Sequence, residues 1–146
     1  MPHAEAISGI TVRPLRNGET AAVQAVFDRL GERSRLLRFH GAKNLLTAGD
    51  LATLARVDET HHVLVAIVEG TPVGIARLVR DGDTAEVAFA VADEWQGRGI
   101  GTILVERLRD DARAAGIRRF CADVMPENLR GRALARRLEA ARPAGA

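Results

Sequence analysis

The sequence contains no tyrosine, one lysine and one cysteine among its 146 residues. The single cysteine, Cys121, excludes an internal disulfide framework and a cysteine-rich zinc site, so no bound metal is expected. No apolar run approaches the roughly 18 residues that a membrane span requires. Residues 1–20 do not carry the pattern of a signal peptide. These absences predict a cytoplasmic protein that does not associate with membranes.

The basic residues are nearly all arginines, which explains the high isoelectric point of 9.4. The formal net charge is only +2. Because few groups titrate between neutrality and the arginine pKa, a small positive excess moves the isoelectric point far upward. Aromatic residues make up 3% of the chain, and no basic tract is interleaved with them. The composition therefore argues against nucleic-acid binding.

Hydrophobic patterns along the chain predict an α/β fold with a mixed, mostly antiparallel sheet flanked by helices. Residues 1–9 are expected to form a flexible tail, and residues 10–146 a single domain. Apolar runs predict strands at 10–15, 63–68, 73–79, 85–91 and 120–124. Helical spacing predicts helices at 19–30, 100–115 and 128–141, a short one before Arg38, and one that begins with a capping box of Thr47 and Asp50. The strands from 63 to 91 form an antiparallel meander, and the unit from 85 to 124 adds one right-handed parallel crossover.

The helix at 100–115 has a clear amphipathic pattern that ends at Gly116. Its buried stripe is predicted to consist of Ile100, Ile103, Leu104, Leu108, Ala112 and Ala115. Its water-facing residues are predicted to be Arg107, Arg109, Asp110 and Arg113.

A glycine-rich segment, Gln-Gly-Arg-Gly-Ile-Gly at 96–101, follows a predicted strand and opens this helix. Glycines allow backbone conformations that other residues rarely adopt, so several N–H groups can point into one concavity. The helix N-terminus adds its partial positive charge, which makes the segment a candidate pyrophosphate site. The spacing differs from a Rossmann fingerprint, and the Gly-Lys-Ser/Thr of a Walker A loop is absent. A tight strand-to-helix connection without a ligand is the alternative explanation.

The glycine segment and the strand before it, residues 89–101, resemble the acyl-CoA signature of the GCN5-related N-acetyltransferases (GNAT). That signature is Gln/Arg-x-x-Gly-x-Gly/Ala after a strand of alternating apolar residues, and the order of elements matches from Thr11 to about Leu138. Residues 34–40, 85–89 and 126–128 resemble the Pat-type protein lysine acetyltransferases. The resemblance implies the GNAT fold and acetyl-CoA as the co-substrate.

The resemblance also implies which residues bind the cofactor. Backbone N–H groups of 96–102 would bind the pyrophosphate, and the strand at 85–91 would pair with the pantetheine arm as a neighbouring strand does. The arm would enter a gap where this strand splays from the strand at 120–124. The implied cofactor-binding residues are Phe89, Val91, Gln96, Gly97, Arg98, Gly99, Ile100, Gly101, Thr102 and Asn128. For Asn128, capping of the last helix is an alternative role that is compatible with contact to the arm.

Glu86 is the candidate catalytic base. Strand alternation places Glu86, Ala88 and Ala90 on one face, and a carboxylate above two alanines indicates a face left open for a ligand. A base helps to keep an attacking amine neutral. An exposed sheet face, or an ion pair with Arg77, is the alternative explanation. The Pat-type resemblance implies that the matching glutamate acts as the general base.

The remaining candidate groups are weaker. His40 lies in a loop over the predicted site and could line it. Cys121 alternates with apolar neighbours in a strand, which favours a packing role over a nucleophilic one.

Two departures from the family pattern concern the end of the chain. Many members carry a tyrosine general acid in the last helix, where alignment on Asn128 places Ala135. After Leu138 the family has a final pair of strands, which this sequence is expected to lack. The missing pair would expose a sheet edge, which predicts a homodimer.

The predicted activity is direct acetyl transfer from acetyl-CoA to a protein lysine within a ternary complex. Glu86 would accept the amine proton, and strand N–H groups would stabilise the tetrahedral oxyanion. A small-molecule amine is the alternative acceptor. A non-catalytic acyl-CoA-binding module is the alternative from another functional class, and the two departures favour it.

Overall fold

The structure, a computed structural model, describes residues 9–39, 43, 45–122 and 128–140. A five-stranded sheet runs through these residues in the order β1-β2-β3-β4-β5. The strands are β1 (Ile10–Pro14), β2 (His61–Val68), β3 (Thr71–Asp81), β4 (Thr84–Val91) and β5 (Arg119–Cys121). Every neighbouring pair is antiparallel except β4 and β5, which are parallel. The predicted meander and the predicted single parallel crossover are therefore both confirmed.

Two helical layers cover the sheet. The helices are α1 (Thr20–Asp28), α2 (Glu32–Phe39), α3 (Ala48–Leu54), α4 (Ile100–Ala114) and α5 (Leu129–Ala140). One core cluster joins α4 and Leu138 of α5 to one face of the sheet, and a second joins α1 to the other face. Strand β2 serves both clusters, because Leu64 and Ala66 belong to the first while Val63 and Val65 belong to the second. An almost unbroken apolar run in the sequence is what such a two-sided strand requires.

Helix α4 carries the crossover and most of the first core cluster. Ile100, Leu104, Leu108 and Ala112 are buried as predicted, and Val105 is buried as well. The prediction for Ala115 was wrong: it is exposed, because the helix ends one residue earlier and Ala115 is its C-cap. Its carbonyl accepts a hydrogen bond of 2.9 Å from Arg80 Nη1, and Gly116 follows with a φ of 86°.

On the predicted water-facing side of α4, Asp110 is exposed, whereas Arg107, Arg109 and Arg113 are only partly exposed. The Arg109 side chain is only 16% exposed. A long arginine can pack its methylene stem along the protein surface, so a charged residue at a boundary position need not point into solvent.

The predicted capping box at the start of α3 is confirmed. The Asp50 N–H donates to Thr47 Oγ1 at 3.0 Å, and the Thr47 N–H donates to Asp50 Oδ2 at 3.0 Å. Each side chain thereby satisfies a backbone group that the first helical turn leaves without a partner.

Some predictions lie outside the described residues. These are the tail at 1–8, His40, and the part of the last predicted strand from 123 to 124. Within the ranges that are described, no helix combines the length and apolarity that a membrane crossing requires.

Candidate functional site

The site is built along the part of β4 that follows its described pairs with β5. The last described pair joins Glu86 to Cys121. From Val87 to Val91, β4 borders a cavity of about 560 Å³. Residues from both faces of β4 line this cavity. Backbone N–H and C=O groups of a strand that borders a cavity can pair with an extended ligand.

The glycine turn closes one end of the cavity. A short 3-10 helix at Asp93–Trp95 leads into it, and α4 begins directly after Gly99. Gly99 is the N-cap in the left-handed conformation with a φ of 91°, and Gly97 has a φ of 76°. Such values strain any residue that has a Cβ, so the glycines are required by backbone geometry. The first N–H groups of α4 lack intrahelical acceptors, which makes this end of the cavity favourable for an anion.

A side-chain network ties the turn to β4 and to α2. Gln96 Nε2 donates to the Val91 carbonyl at 2.9 Å and to Ser34 Oγ at 3.1 Å. Ser34 Oγ in turn donates to Asp93 Oδ1 at 2.6 Å. The Gln96 side chain therefore holds the turn in place, and only its backbone is available to a ligand at the turn. Ser34 and Asp93 were missed as site residues, although Ser34 belongs to the Pat-like segment in the sequence.

Helix α5 forms the opposite wall. Asn128 Oδ1 accepts a hydrogen bond of 3.0 Å from the Gly131 N–H, so Asn128 caps this helix and also lines the cavity. A Cβ on Gly101 would lie 2.9 Å from Leu134 Cδ1. The third glycine of the turn is therefore explained by the close approach of α5 and not by its φ.

The structure brings most of the predicted cofactor-binding residues together. The cavity is lined by Phe89, Val91, Gln96, Gly97, Gly99, Gly101, Thr102 and Asn128. Arg98 is exposed, and its guanidinium lies 4.7 Å from the centre of the Trp95 ring. The Ile100 side chain is 1% exposed and belongs to the core, so only its N–H faces the turn. Glu86 is exposed at the last β4–β5 pair, one residue before the cavity wall begins.

Two arginines lie near each other at this site, and the Glu86 carboxylate acts on one of them, Arg77. Arg38 of α2 lines the cavity, and Arg77 of β3 is in register with Ala88 of β4. Burial, together with the positive charge of Arg77, lowers the pKa of Arg38 to about 10. Burial also lowers the pKa of Arg77, although the Glu86 carboxylate opposes that effect. Arg77 was considered only as an ion-pair partner for Glu86, and Arg38 was missed.

The sequence profile described as the Acetyltransferase (GNAT) family matches residues 20–139. The chain belongs to this family. The five-stranded mixed sheet flanked by helices is the GNAT fold, in agreement with the family expected from the glycine segment.

Two curated relatives and one solved structure show which members of the family this chain is similar to. It is 40% identical over 96 residues to the acetyltransferase Pat of Mycolicibacterium smegmatis, covering 62% of this chain and 29% of that protein. It is 30% identical over 118 residues to the acetyltransferase PA5475 of Pseudomonas aeruginosa, covering 76% of this chain and 63% of that protein. The GNAT domain of S. lividans PAT superimposes with a TM-score of 0.81 at 30% identity, covering 87% of this chain and 78% of that one. The chain thus spans less than two thirds of the length of either curated relative.

Proposed function

We propose that this GNAT transfers an acetyl group from acetyl-CoA to the side-chain amine of a protein lysine. The observation that carries the proposal is a cavity that runs from β4 to the N-terminus of α4. Such a cavity suits a ligand that has phosphates at one end and an extended amide-bearing arm at the other. The similarity to Pat supports a protein lysine as the acceptor.

The direction of β4 determines the order in which the parts of acetyl-CoA would lie along the site. The pyrophosphate would lie at the glycine turn, bound by N–H groups from Gln96 to Thr102, after the end of the strand. The arm would run back along Val91 and Phe89, with Asn128 on its other side. The edge from Val91 to Val87 extends about 13 Å, since a strand rises about 3.3 Å per residue. The thioester would therefore lie at the Glu86 end of the strand, far from the phosphates.

In the proposed reaction the lysine amine attacks the thioester carbonyl, and Glu86 accepts the amine proton directly or through a water molecule. N–H groups on the open edge of β4 would stabilise the oxyanion of the tetrahedral intermediate. Collapse of that intermediate breaks the C–S bond and releases CoA as its thiolate. Ala135 occupies the position of the family tyrosine, so solvent would protonate this good leaving group.

The acceptor is tested by incubating the protein with acetyl-CoA and a panel of lysine-bearing proteins and small amines. Mass spectrometry should detect a gain of one acetyl group on protein lysines. Modification of small amines alone would instead favour the alternative acceptor class. Tight acetyl-CoA binding without modification of any acceptor would favour the non-catalytic binding module.

Replacing Gly99 by alanine should weaken CoA binding by about tenfold. A Cβ in the left-handed conformation costs roughly 1–2 kcal/mol, and the turn can relieve this strain only by reorienting the N–H groups that face the phosphates. Isothermal titration calorimetry with CoA measures the effect. Gly116→Ala is the matched control, because Gly116 has a similar φ of 86° and lies outside the cavity. Equal CoA affinity in the two variants would contradict the assignment of the turn.

A further inference from the structure

Arg77 occupies an unusual position in the middle of the sheet. It lies in β3 opposite Val63 of β2 and Ala88 of β4, so it projects from the same face as Ala88 and Glu86. The diagonal relation to Glu86 on the neighbouring strand brings the two charges near each other. The Arg77 Nε atom is buried and has no hydrogen-bond partner in the described part of the chain. A mid-sheet guanidinium that is only partly satisfied is costly unless something else pairs with it.

Arg38 approaches Arg77 from the helix above. Arg38 lines the main cavity, whereas Arg77 lines only a smaller space of about 30 Å³ that shares the Arg38 and Ala90 walls with the main cavity. The contacts that hold α2 fix the place of Arg38: the Phe39 and Phe27 rings meet edge to face at 5.8 Å, and Ser34 is anchored to Asp93. Among the residues that the structure describes, no carboxylate forms an ion pair with Arg38 or Arg77.

Two adjacent, partly buried guanidinium groups repel each other, and burial adds a desolvation penalty. An anion supplied from outside would offset both effects, and the planar fork of arginine suits a carboxylate. The cofactor phosphates belong at the glycine turn, at the opposite end of β4 from Glu86. The anion facing Arg38 and Arg77 would therefore belong to the acceptor.

We propose that Arg38 and Arg77 form an anion-recognition subsite that binds an acidic side chain next to the target lysine of a polypeptide acceptor. This inference rests on the proposed lysine acetyltransferase function. The subsite would orient the acceptor so that the lysine amine reaches Glu86 and the thioester. Arg38 and Arg77 are positioning residues, since neither takes part in a proton or acyl transfer.

The test compares two sets of short lysine peptides, one with Asp or Glu beside the lysine and one with Asn or Gln at the same positions. We expect kcat/KM of the native protein to be about tenfold higher for the acidic set, as for a charge-assisted hydrogen bond. Arg77→Gln and Arg38→Gln should reduce this ratio towards one while the neutral peptides are still acetylated. Arg77→Lys, which keeps the charge, should retain part of the preference. Arg118→Gln, an exposed arginine outside the cavity, should leave the ratio unchanged.

The ratio between peptide sets separates recognition from any general loss of folding or activity, since such a loss affects both sets equally. Equal kcat/KM for the two sets in the native protein would overturn the subsite, as would a preference that survives both glutamine variants. A preference seen only with free amines that carry a carboxylate, such as 6-aminohexanoate against its amide, would overturn the polypeptide assignment.

Peptide binding measured by fluorescence anisotropy in the presence of CoA keeps the two proposals distinguishable. If no peptide is acetylated, the proposed function fails. Preferential binding of acidic peptides that depends on Arg38 and Arg77 would still support the subsite in that case. Equal binding of both peptide sets would overturn it.

Discussion

Replacing Glu86 by glutamine should lower kcat by about 100- to 10,000-fold, the range expected when a general base is removed. Glutamine has nearly the same shape but cannot accept the amine proton at neutral pH. Glu86 is exposed, and it lies beyond the residues that line the cavity, so CoA affinity should change by less than about twofold. Steady-state kinetics with a lysine acceptor and calorimetric titration with CoA measure the two effects separately.

Glu59→Gln is the matched control, because Glu59 is an exposed glutamate in the loop before β2 and lies outside the cavity. It should leave both kcat and CoA affinity unchanged. An unchanged kcat in Glu86→Gln would remove Glu86 from the mechanism and would leave its attraction to Arg77 as its main interaction. A fall in CoA affinity that matches the fall in turnover would instead indicate that the substitution distorts β4.

The parts of the fold that could be predicted from sequence are those encoded by neighbouring residues. The two-sided burial of β2 follows from an unbroken apolar run, and the start of α3 follows from the spacing of Thr47 and Asp50. The glycine turn was also readable, because Gly97 and Gly99 are needed for their own backbone angles. Each of these signals acts within a few positions along the chain.

The parts that could not be predicted depend on contacts between distant positions. Ser34 reaches Asp93 across 59 residues of sequence and Gln96 across 62. Arg38 and Arg77 likewise come close only because α2 is placed over β3. The sequence around either residue does not predict this proximity. Helix boundaries are the other weak point, because Ala115 continues the apolar spacing of α4 but lies after its last residue.

Both kinds of information are needed to describe the site along β4. Alternation along β4 predicts the face on which Glu86 lies, but the extent of pairing between β4 and β5 is a property of the sheet as a whole. The resemblance to the GNAT family implies that β4 splays from the next strand, and this stays a prediction because residues 123–127 lie outside the described part of the chain. The proposed chemistry depends on the face of Glu86 and on the extent of strand pairing, since the base must lie at the end of the segment that would pair with the pantetheine arm.

Replacing Leu104 by alanine should lower the free energy of unfolding by about 2–5 kcal/mol, as for other fully buried leucines. Leu104 is 0% exposed at the centre of the α4 interface with the sheet. Packing there is tight, because a Cβ on Gly74 would lie 3.1 Å from Leu104 Cδ1. Urea denaturation followed by circular dichroism gives the change in stability. Leu45→Ala is the matched control, because Leu45 is 63% exposed and its loss should change stability by less than about 0.5 kcal/mol.

The same variant also tests the link between the core and the site. Leu104 packs α4 against the sheet, and the glycine turn lies at the start of this helix. A ligand that binds only the folded protein adds about 2.7 kcal/mol of stability at one hundred times its Kd. CoA at that concentration should therefore recover a large part of the loss in Leu104→Ala. Recovery of far less than this amount would mean that the cavity left by the leucine loosens the start of α4 and weakens CoA binding itself. A loss below about 1 kcal/mol without CoA would mean that the interface around Gly74 closes over the missing side chain.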